Sequence, residues 1–338
     1  MITSPNVKVN LGLNVLRKRP DGYHDLETLF VPYFGMHDTL EIIPADAWSE
    51  TSASLFARYG SGFSGIAEAS GHVDRIFGSS AASDTSGKDA AGGEDAQQIV
   101  QAITPDGKAM ITVARAEGVC WDPLKDLTVK AYQLLDADYD LPAVKIFLEK
   151  TSPVGAGLGG GSADAAFALR MLSDLAGLGL ADEVLADYAA RLGSDCAFFV
   201  YNRPMFGEGR GEILTPFDLD RTSTPQGEES GPGTPLIDCS GSGGSARYAL
   251  KVIVPDGIAV STADAYRGIV PSVPVRPLRD VLARPVEEWR EELVNDFEKT
   301  VFAKYPELAA IKQSLYDAGA VYAAMSGSGS ALFAIFAS

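Results

Sequence analysis

The stretch TSPVGAGLGGGSADAAFALRML, residues 151–172, sets Gly155, Gly157 and the run Gly159, Gly160 and Gly161 directly before a segment of helical periodicity. The first turn of a helix leaves backbone N–H groups without intrahelical acceptors, and its dipole adds partial positive charge there. Glycines ahead of that turn let a bulky anion approach the backbone and let several N–H groups converge on it. The chemistry this predicts is phosphate binding, worth about 0.3–1 kcal/mol at an exposed helix terminus and more where partly buried. On these residues alone a second reading stays open: glycines that only let a helix and a strand pack closely.

Spacing separates the kinds of phosphate loop. GAGLGG, residues 155–160, satisfies G-x-G-x-x-G after a predicted strand, AVKIFLEK. A nicotinamide-binding fold would need a second parallel strand ending in Asp or Glu about 20 residues on. Here a second helix, in GLGLADEVLADYAARL, follows instead. A Walker loop needs Gly-Lys-Ser/Thr, whereas Gly160 and Gly161 lead into Ser162 without a lysine, and the later triplets of a protein kinase are absent. Two further clusters, FGEGRGEI (206–213) and MSGSGSALF (325–333), read singly as hairpin turns. Together with the first loop they predict a shared nucleotide pocket.

Periodicity supplies the elements that must position this loop. VKVNLGLNVL alternates Val7, Val9, Leu11, Leu13 and Val15 with Lys8, Asn10, Gly12, Asn14 and Leu16, the period of a half-buried strand, so Lys8 and Asn10 share one face. A Pro-Asp-Gly turn and two more apolar runs make the N-terminus antiparallel β, with Tyr23 and His24 just past the turn. PLKDLTVKAYQLLDADY sets Leu124, Leu127, Ala131, Leu134 and Leu135 on one helical face, with Pro123 suited to a first turn. SADAAFALRMLSDLAG and ADEVLADYAARLG predict two helices, and ALKVIVP a buried strand. Helices broken near Pro306 and a glycine-tipped hairpin, VYAAMSGSGSALFAIF, follow. Residues 48–107 and 224–245, rich in Ser and Gly, read as loop-like insertions, the first with a short helix in DAQQIVQAI. Strands first, a helical middle and a mixed second half give an α+β fold class.

Composition limits the partners. The 338 residues, 46% hydrophobic and 22% charged, suffice for one large domain or two smaller ones. With 28 Lys and Arg against 45 Asp and Glu, the formal charge of −17 argues against nucleic acid and anionic membrane, both of which require clustered cations. Small-molecule substrates and a monomer or homodimer are expected. Cys120, Cys196 and Cys239 lack CxxC spacing, so neither a disulfide framework nor a structural zinc site is indicated. The N-terminal residues lack the pattern of a secretory signal, and no apolar run approaches the roughly 20 residues of a membrane span. A cytoplasmic location is the expectation.

PVGAGLGGGSADAA resembles the phosphate loop of the GHMP small-molecule kinases, and SGSGSALF resembles their C-terminal glycine motif. Within that superfamily, KVNLGLNVLRKRPDGYHDLETLF, RLGSDCAFFV, GEGRGEIL and NDFE at 295–298 are similar to the branch acting on a cytidine-diphosphate-linked methylerythritol in the non-mevalonate isoprenoid route. The matches run in order from Lys8 to Phe333. The resemblance implies a two-domain GHMP kinase fold: a ribosomal-S5-like β/α domain over 1–203 and an α+β domain over 204–338. It also implies ATP with Mg²⁺ as co-substrate and transfer of a phosphoryl group to the 2-hydroxyl of the alcohol.

By the same match, Asp195 resembles the catalytic aspartate and Lys8 the catalytic lysine. A carboxylate that takes the hydroxyl proton, beside a cation that keeps it ionised and steadies the moving group, suits phosphoryl transfer. Tyr23 and His24 carry over as cytidine-recognition residues, Tyr266 as the ring on the base's other face, with Thr262 nearby and Asn10 beside the substrate hydroxyls. Pro153, Val154, Gly155, Ala156, Gly157, Leu158, Gly159, Gly160, Gly161, Ser162 and Ala163 would wrap the phosphates. Ser162 would donate to a phosphate or reach Mg²⁺, and Lys150 would lie near the nucleotide. The residues alone leave other roles open: Lys8 as an edge-strand guard, Asp195 as a helix cap beside Ser194, Tyr266 as a packed helix residue, Lys150 as a solvated strand end. Two departures from the family pattern stand out. Asp126 precedes Leu127 where the family carries asparagine, and the chain stops at Ser338 soon after ALFAIF, where the family continues through a helix and strand. The competing functions are a sister GHMP kinase for another alcohol and a non-catalytic nucleotide-binding protein.

Overall fold

The N-terminal alternation forms a long strand, β2 (Asn6–Lys18), after a short β1 (Ile2–Thr3). β2 turns back through the Pro-Asp-Gly corner and pairs antiparallel with β3 (His24–His37), setting Lys8 opposite Pro32 and Asn10 opposite Phe30. This is a computed structural model, and it describes residues 1–60, 97–221, 235–241 and 246–338. The N-terminal half continues with β4 (Thr39–Pro44), α1 (Glu50–Tyr59), β5 (Ile99–Ile103), β6 (Ala109–Arg115) and α2 (Leu127–Tyr139). β7 (Val144–Lys150), α3 (Gly160–Leu175), α4 (Asp182–Leu192) and α5 (Cys196–Tyr201) complete it. The C-terminal half holds β8 (Met205–Glu208), β9 (Ile213–Pro216), β10 (Ile237–Asp238), β11 (Tyr248–Ile253) and α6 (Thr262–Tyr266). It ends with α7 (Leu278–Leu282), α8 (Trp289–Glu292), α9 (Phe297–Lys304), α10 (Pro306–Asp317), β12 (Tyr322–Met325) and β13 (Leu332–Ala337).

Three sheets result, in the orders β1-β4-β7-β6-β5, β2-β3-β8-β9 and β10-β11-β13-β12. Because β8 extends the sheet begun by β2 and β3, residues on both sides of position 203 share one sheet. Helices α2 to α5 cover the first sheet, where Leu40, Ile146 and Leu148 pack with Val129, Tyr132, Leu169 and Phe198. Val7, Val9 and Leu11 turn the other way and pack with Leu278, Trp289, Tyr322 and Phe333 of the C-terminal half. Each such side chain, once buried, contributes about 1.5–3 kcal/mol. Strand parity therefore buries Val7, Val9 and Leu11 in this core, with Leu13 and Val15 in a second, smaller one, and points Lys8 and Asn10 at the opposite face.

β2 is the edge of its sheet, yet the edge is closed. The Lys8 N–H donates to Leu158 O at 2.9 Å and the Leu13 N–H to Val294 O at 2.8 Å, so the glycine loop and residues 294–296 cover groups that would otherwise invite strand pairing.

Several expectations change. Residues 48–107 are not one loop-like insertion, since they contain α1 and β5. The helix expected in DAQQIVQAI is in its described part the strand β5, antiparallel to β6, where β-branched Ile99, Val100 and Ile103 suit a sheet edge better than a helix. The stretch 224–245 contains β10, parallel to β11; residues 61–96, 222–234 and 242–245 lie outside the described residues. The expected buried strand ALKVIVP is β11, of which only Tyr248 and Leu250 are buried. Among the described residues, no helix is long and apolar enough to cross a membrane.

Candidate active site

Gly155, Gly157 and Gly159 all adopt positive φ, at 74°, 78° and 75°, a region that L side chains enter at a cost. Gly159 is the N-cap of α3, so the helix starts at Gly160, two residues before the expected SADAA. The backbone N–H groups of the first turn thereby face a cleft of about 320 Å³ whose walls include Trp121, Asp126, Leu127, Val154 and Gly161. A Cβ on Gly155 or Gly161 would meet nothing within 4 Å, so both stand open to a ligand. Gly157 is the reverse case: a Cβ there would strike the Ser326 carbonyl oxygen and come 2.9 Å from Gly329 N. The C-terminal glycine motif thus backs the loop. Of the expected phosphate-wrapping residues, Leu158 and Ala163 bury their side chains in the core and offer only backbone, while Pro153, Val154, Gly155, Ala156, Gly157, Gly159, Gly160, Gly161 and Ser162 line the cleft.

Lys8 lies against Gly157 and Gly159 of the same loop and pairs with Asp195. Lys8 is 2% exposed, and a buried ammonium costs several kcal/mol unless its protons are satisfied. Two hydrogen bonds and an ion pair hold it: it donates to Asn10 Oδ1 at 2.6 Å and to Gly157 O at 2.8 Å, and Asp195 Oδ2 stands 3.3 Å from Nζ as its counter-charge. The Phe30 ring adds a face at 5.7 Å. Asp195 occupies the N-cap position of α5 but makes no capping hydrogen bond; its side chain, one-third exposed, turns to Lys8. Neither the edge-guard role for Lys8 nor the cap role for Asp195 describes this geometry. Asn10 accepts from Lys8 through Oδ1 and donates one Nδ2 proton to Thr28 Oγ1 at 3.1 Å, so it orients the lysine.

Lys150 is not a solvated strand end. It is buried at the end of β7 between Asp38 and Asp164, the latter at 2.6 Å. Burial alone would lower its affinity for a proton, but the Asp164 and Asp38 carboxylates reverse this and hold it charged. Asp38 also accepts from the backbone N–H of Thr151 and of Ser152, both at 2.7 Å, and so ties down the approach to the glycine loop. Burial pushes the Asp164 carboxyl well above the usual carboxylate range, against the pull of Lys150, and its Oδ1 is buried without a hydrogen-bond partner. Asp126 caps α2 through Oδ1, accepting from Thr128 N at 3.0 Å, and its Oδ2 accepts from Trp121 Nε1 at 3.3 Å. The residue that departs from the family pattern is thus the one that anchors the indole on the cleft wall.

The aromatic residues assemble differently from expectation. His24 stacks directly on Tyr266, centroids 4.8 Å apart at 22°, and the edge of Phe297 closes on Tyr266 at 4.7 Å. No base fits between His24 and Tyr266 at that separation. Tyr23 is 57% exposed with the Arg210 guanidinium 5.1 Å above its ring, which places the middle glycine cluster, the β8–β9 tip, beside Tyr23 and away from the phosphate loop. The three glycine clusters therefore do not form one pocket: the first lines the cleft, the third backs it, the second sits at the aromatic end. Burial, and then the charge of Asp195, raise the Tyr266 hydroxyl above its ordinary value, so this ring lies within electrostatic reach of the Lys8–Asp195 pair. Burial and Lys18 lower His24, leaving a neutral imidazole with one donor and one acceptor. Thr262 Oγ1 lies 3.3 Å from Ser328 Oγ, on the glycine motif rather than among the rings.

Sequence reasoning missed Trp121, Leu127 and Asp164 as cleft residues. Trp121 lies in an aperiodic segment, and Asp164 sits in an alanine-rich helix whose inward face no pattern marks as carrying a charge.

Comparison with known proteins fits this geometry. The GHMP kinases N terminal domain matches residues 126–203 and the GHMP kinases C terminal region matches residues 278–338. A 4-diphosphocytidyl-2-C-methyl-D-erythritol kinase of Bacteroides fragilis is 40% identical over 336 residues, 99% of this chain and 92% of the relative. The kinase of the same name from Azobacteroides pseudotrichonymphae is 37% identical over 337 residues, 99% of this chain and 93% of the relative. A crystal structure of a 4-(cytidine 5'-diphospho)-2C-methyl-D-erythritol kinase superposes with a TM-score of 0.60 at 25% identity, covering 99% of this chain and 89% of the other. A glycine loop that lines a cleft and touches a lysine–aspartate pair is thus found in a chain that belongs to the GHMP kinases and, among them, to the 4-diphosphocytidyl-2-C-methyl-D-erythritol kinase family.

Proposed function

We propose that the chain transfers the γ-phosphoryl group of ATP to the 2-hydroxyl of 4-diphosphocytidyl-2-C-methyl-D-erythritol, in the non-mevalonate isoprenoid pathway. The observation that carries this reading is the Lys8–Asp195 pair, 3.3 Å apart, with Lys8 bound to the carbonyl of Gly157 in the loop that lines the cleft. ATP lies with its nucleoside in the cleft and its phosphates over the open backbone at Gly155 and Gly161, the helix N-terminus drawing negative charge to the α3 end. Asp195 accepts the hydroxyl proton as the oxygen–phosphorus bond forms and the bond to the β-phosphate oxygen breaks, releasing ADP. The Lys8 ammonium, fixed by Asn10 and Gly157 O, steadies the alcohol oxygen and the passing phosphoryl group without reorganising. General-base help of this kind is typically worth about 10²–10⁴ in rate, roughly 3–5 kcal/mol of barrier.

Magnesium takes oxygen ligands and keeps several waters, relying on nucleotide phosphates for much of its shell. An ion carried on the phosphates would find Ser162 on the cleft wall as a protein ligand. Such an ion supplies charge neutralisation of the phosphates. The cytidine end of the alcohol lies toward Tyr23, His24 and Tyr266, with the base against an outer face of these rings. A cytoplasmic location, a division into two domains near residue 203, and small-molecule ligands without nucleic acid, in a monomer or homodimer, complete the reading.

The test is ADP release with purified protein and ATP, offered the cytidine diphosphate alcohol, mevalonate, homoserine and galactose in parallel. Turnover confined to the cytidine alcohol supports the reading; turnover of another alcohol in preference, or none with any, defeats it.

A further inference from the structure

We infer that Asn295 is a positioning residue of the phosphotransfer site, the strut that holds the C-terminal glycine loop against Lys8 and Gly157. The inference rests on the kinase reading of the site and assigns a role to the NDFE segment, whose place in the fold is otherwise only a turn before α9.

Asn295 is 2% exposed and uses its whole amide. Its Nδ2 donates to Met325 O at 2.7 Å and to Gly327 O at 2.9 Å, and its Oδ1 accepts from Phe297 N at 3.0 Å. Two carbonyl acceptors on one side and an N–H on the other leave a single orientation for the amide. The backbone around it is fastened to β2: Leu13 N–H donates to Val294 O, Asp296 N–H donates to Leu13 O at 2.9 Å, and Asp296 Oδ2 accepts from Val15 N at 2.8 Å. Asn295 thus stands on the strand that carries Lys8 and Asn10 and reaches across to the glycine loop. Met325 ends an edge strand, and side chains replace the missing neighbour: Glu298 accepts its N–H at 2.8 Å and Asn295 takes its carbonyl.

The far end of the strut meets the reaction centre. A Cβ on Gly327 would lie 3.0 Å from Gly157 O, 3.3 Å from Asn10 Oδ1 and 3.4 Å from Lys8 Nζ. Gly157 O is itself an acceptor of the Lys8 ammonium, and Ala331 N–H donates to Ala156 O at 3.1 Å. Releasing Gly327 from Asn295 therefore loosens both the carbonyl that orients Lys8 and the support beneath the phosphate loop.

Asn295→Asp and Asn295→Ala separate positioning from space filling. Aspartate has the same shape but sets carboxylate oxygens against two carbonyl oxygens, whereas alanine only removes the donor. The strut requires Asn295→Asp to be the worse variant, with kcat at saturating substrates lowered about tenfold or more, the scale of one to two lost buried hydrogen bonds. Nucleotide affinity, followed by fluorescence titration with MgATP on folded protein well below the melting temperature of either variant, should weaken by a similar factor in Asn295→Asp, whose melting temperature falls below that of Asn295→Ala because it buries a carboxylate against carbonyl oxygens. Asn295→Asp retaining most of the wild-type kcat and nucleotide affinity, or Asn295→Ala being clearly the worse, overturns the assignment. So does failure of both variants to fold, since that gives the residue to the fold and not to the site. Wild-type protein that binds MgATP but turns over no alcohol defeats the kinase reading instead, and the nucleotide titration of the two variants then decides the strut.

Discussion

Lys8 Nζ and Asp195 Oδ2 stand 3.3 Å apart, the lysine buried and the aspartate one-third exposed, so that the pair presents a carboxylate outward over a cation held from below. Removing the carboxylate leaves the cleft and the glycine loop as they are. Asp195→Ala should depress turnover by about a hundredfold or more while MgATP affinity changes little. Steady-state kinetics beside equilibrium nucleotide binding check this, and full retained turnover would remove Asp195 from the mechanism.

Gly157 carries two requirements at once, a φ of 78° and no room for a side chain against Ser326 and Gly329. Gly157→Ala must take up left-handed backbone strain and push the C-terminal motif away, together about 2–6 kcal/mol. The urea midpoint should fall markedly, and nucleotide affinity with it, because the displaced segment supports the loop. Gly161→Ala, where a Cβ meets nothing, is the control and should leave stability nearly unchanged. Equal stability of the two variants would contradict the packing described.

Asp164 makes stability depend on pH in a stated direction. Burial raises its carboxyl well above the ordinary value, so folding takes up a proton in the range above about pH 4, where the unfolded chain has lost it. The contribution is present at low pH and is lost as pH rises through the folded-state value. Asparagine does not titrate. The stability of Asp164→Asn relative to wild type should therefore improve from about pH 5 to about pH 8.5 in urea denaturation, with contributions of groups that do not touch Asp164 cancelling in the difference. Parallel curves would show that Asp164 is already ionised in the folded chain.

Face parity explains what was legible. Alternation in β2 sets Lys8 and Asn10 on one face from the sequence alone, and helix periodicity locates α2, α3, α4 and the break at Pro306. The meeting of Lys8 with Asp195 is a long-range event that no local pattern encodes, and only the family motifs joined them. The same limit hid the contact of Asn295 with Gly327 and the burial of Lys150 between Asp38 and Asp164. The glycine clusters misled for a related reason: glycine marks backbone freedom, and freedom at a hairpin tip beside Tyr23 looks in sequence like freedom at a phosphate.

The three tryptophans offer a direct test of where the nucleotide sits. Trp48 is 95% exposed and Trp289 fully buried, so neither should respond to a ligand in the cleft, while the Trp121 indole lies on its wall and donates to Asp126. A base entering beside that indole changes its solvation and stacks or packs against it, a contact worth about 1–3 kcal/mol for aromatic stacking on a base. MgATP should quench or shift the intrinsic emission saturably, and Trp121→Phe should abolish the change while conserving most of the affinity measured by calorimetry, since phenylalanine keeps an aromatic face. Asp126→Ala should weaken the response more than it alters folding, because the indole loses its hydrogen-bond anchor as α2 loses a cap worth about 1 kcal/mol. An undiminished signal in Trp121→Phe would place the nucleotide elsewhere than this cleft.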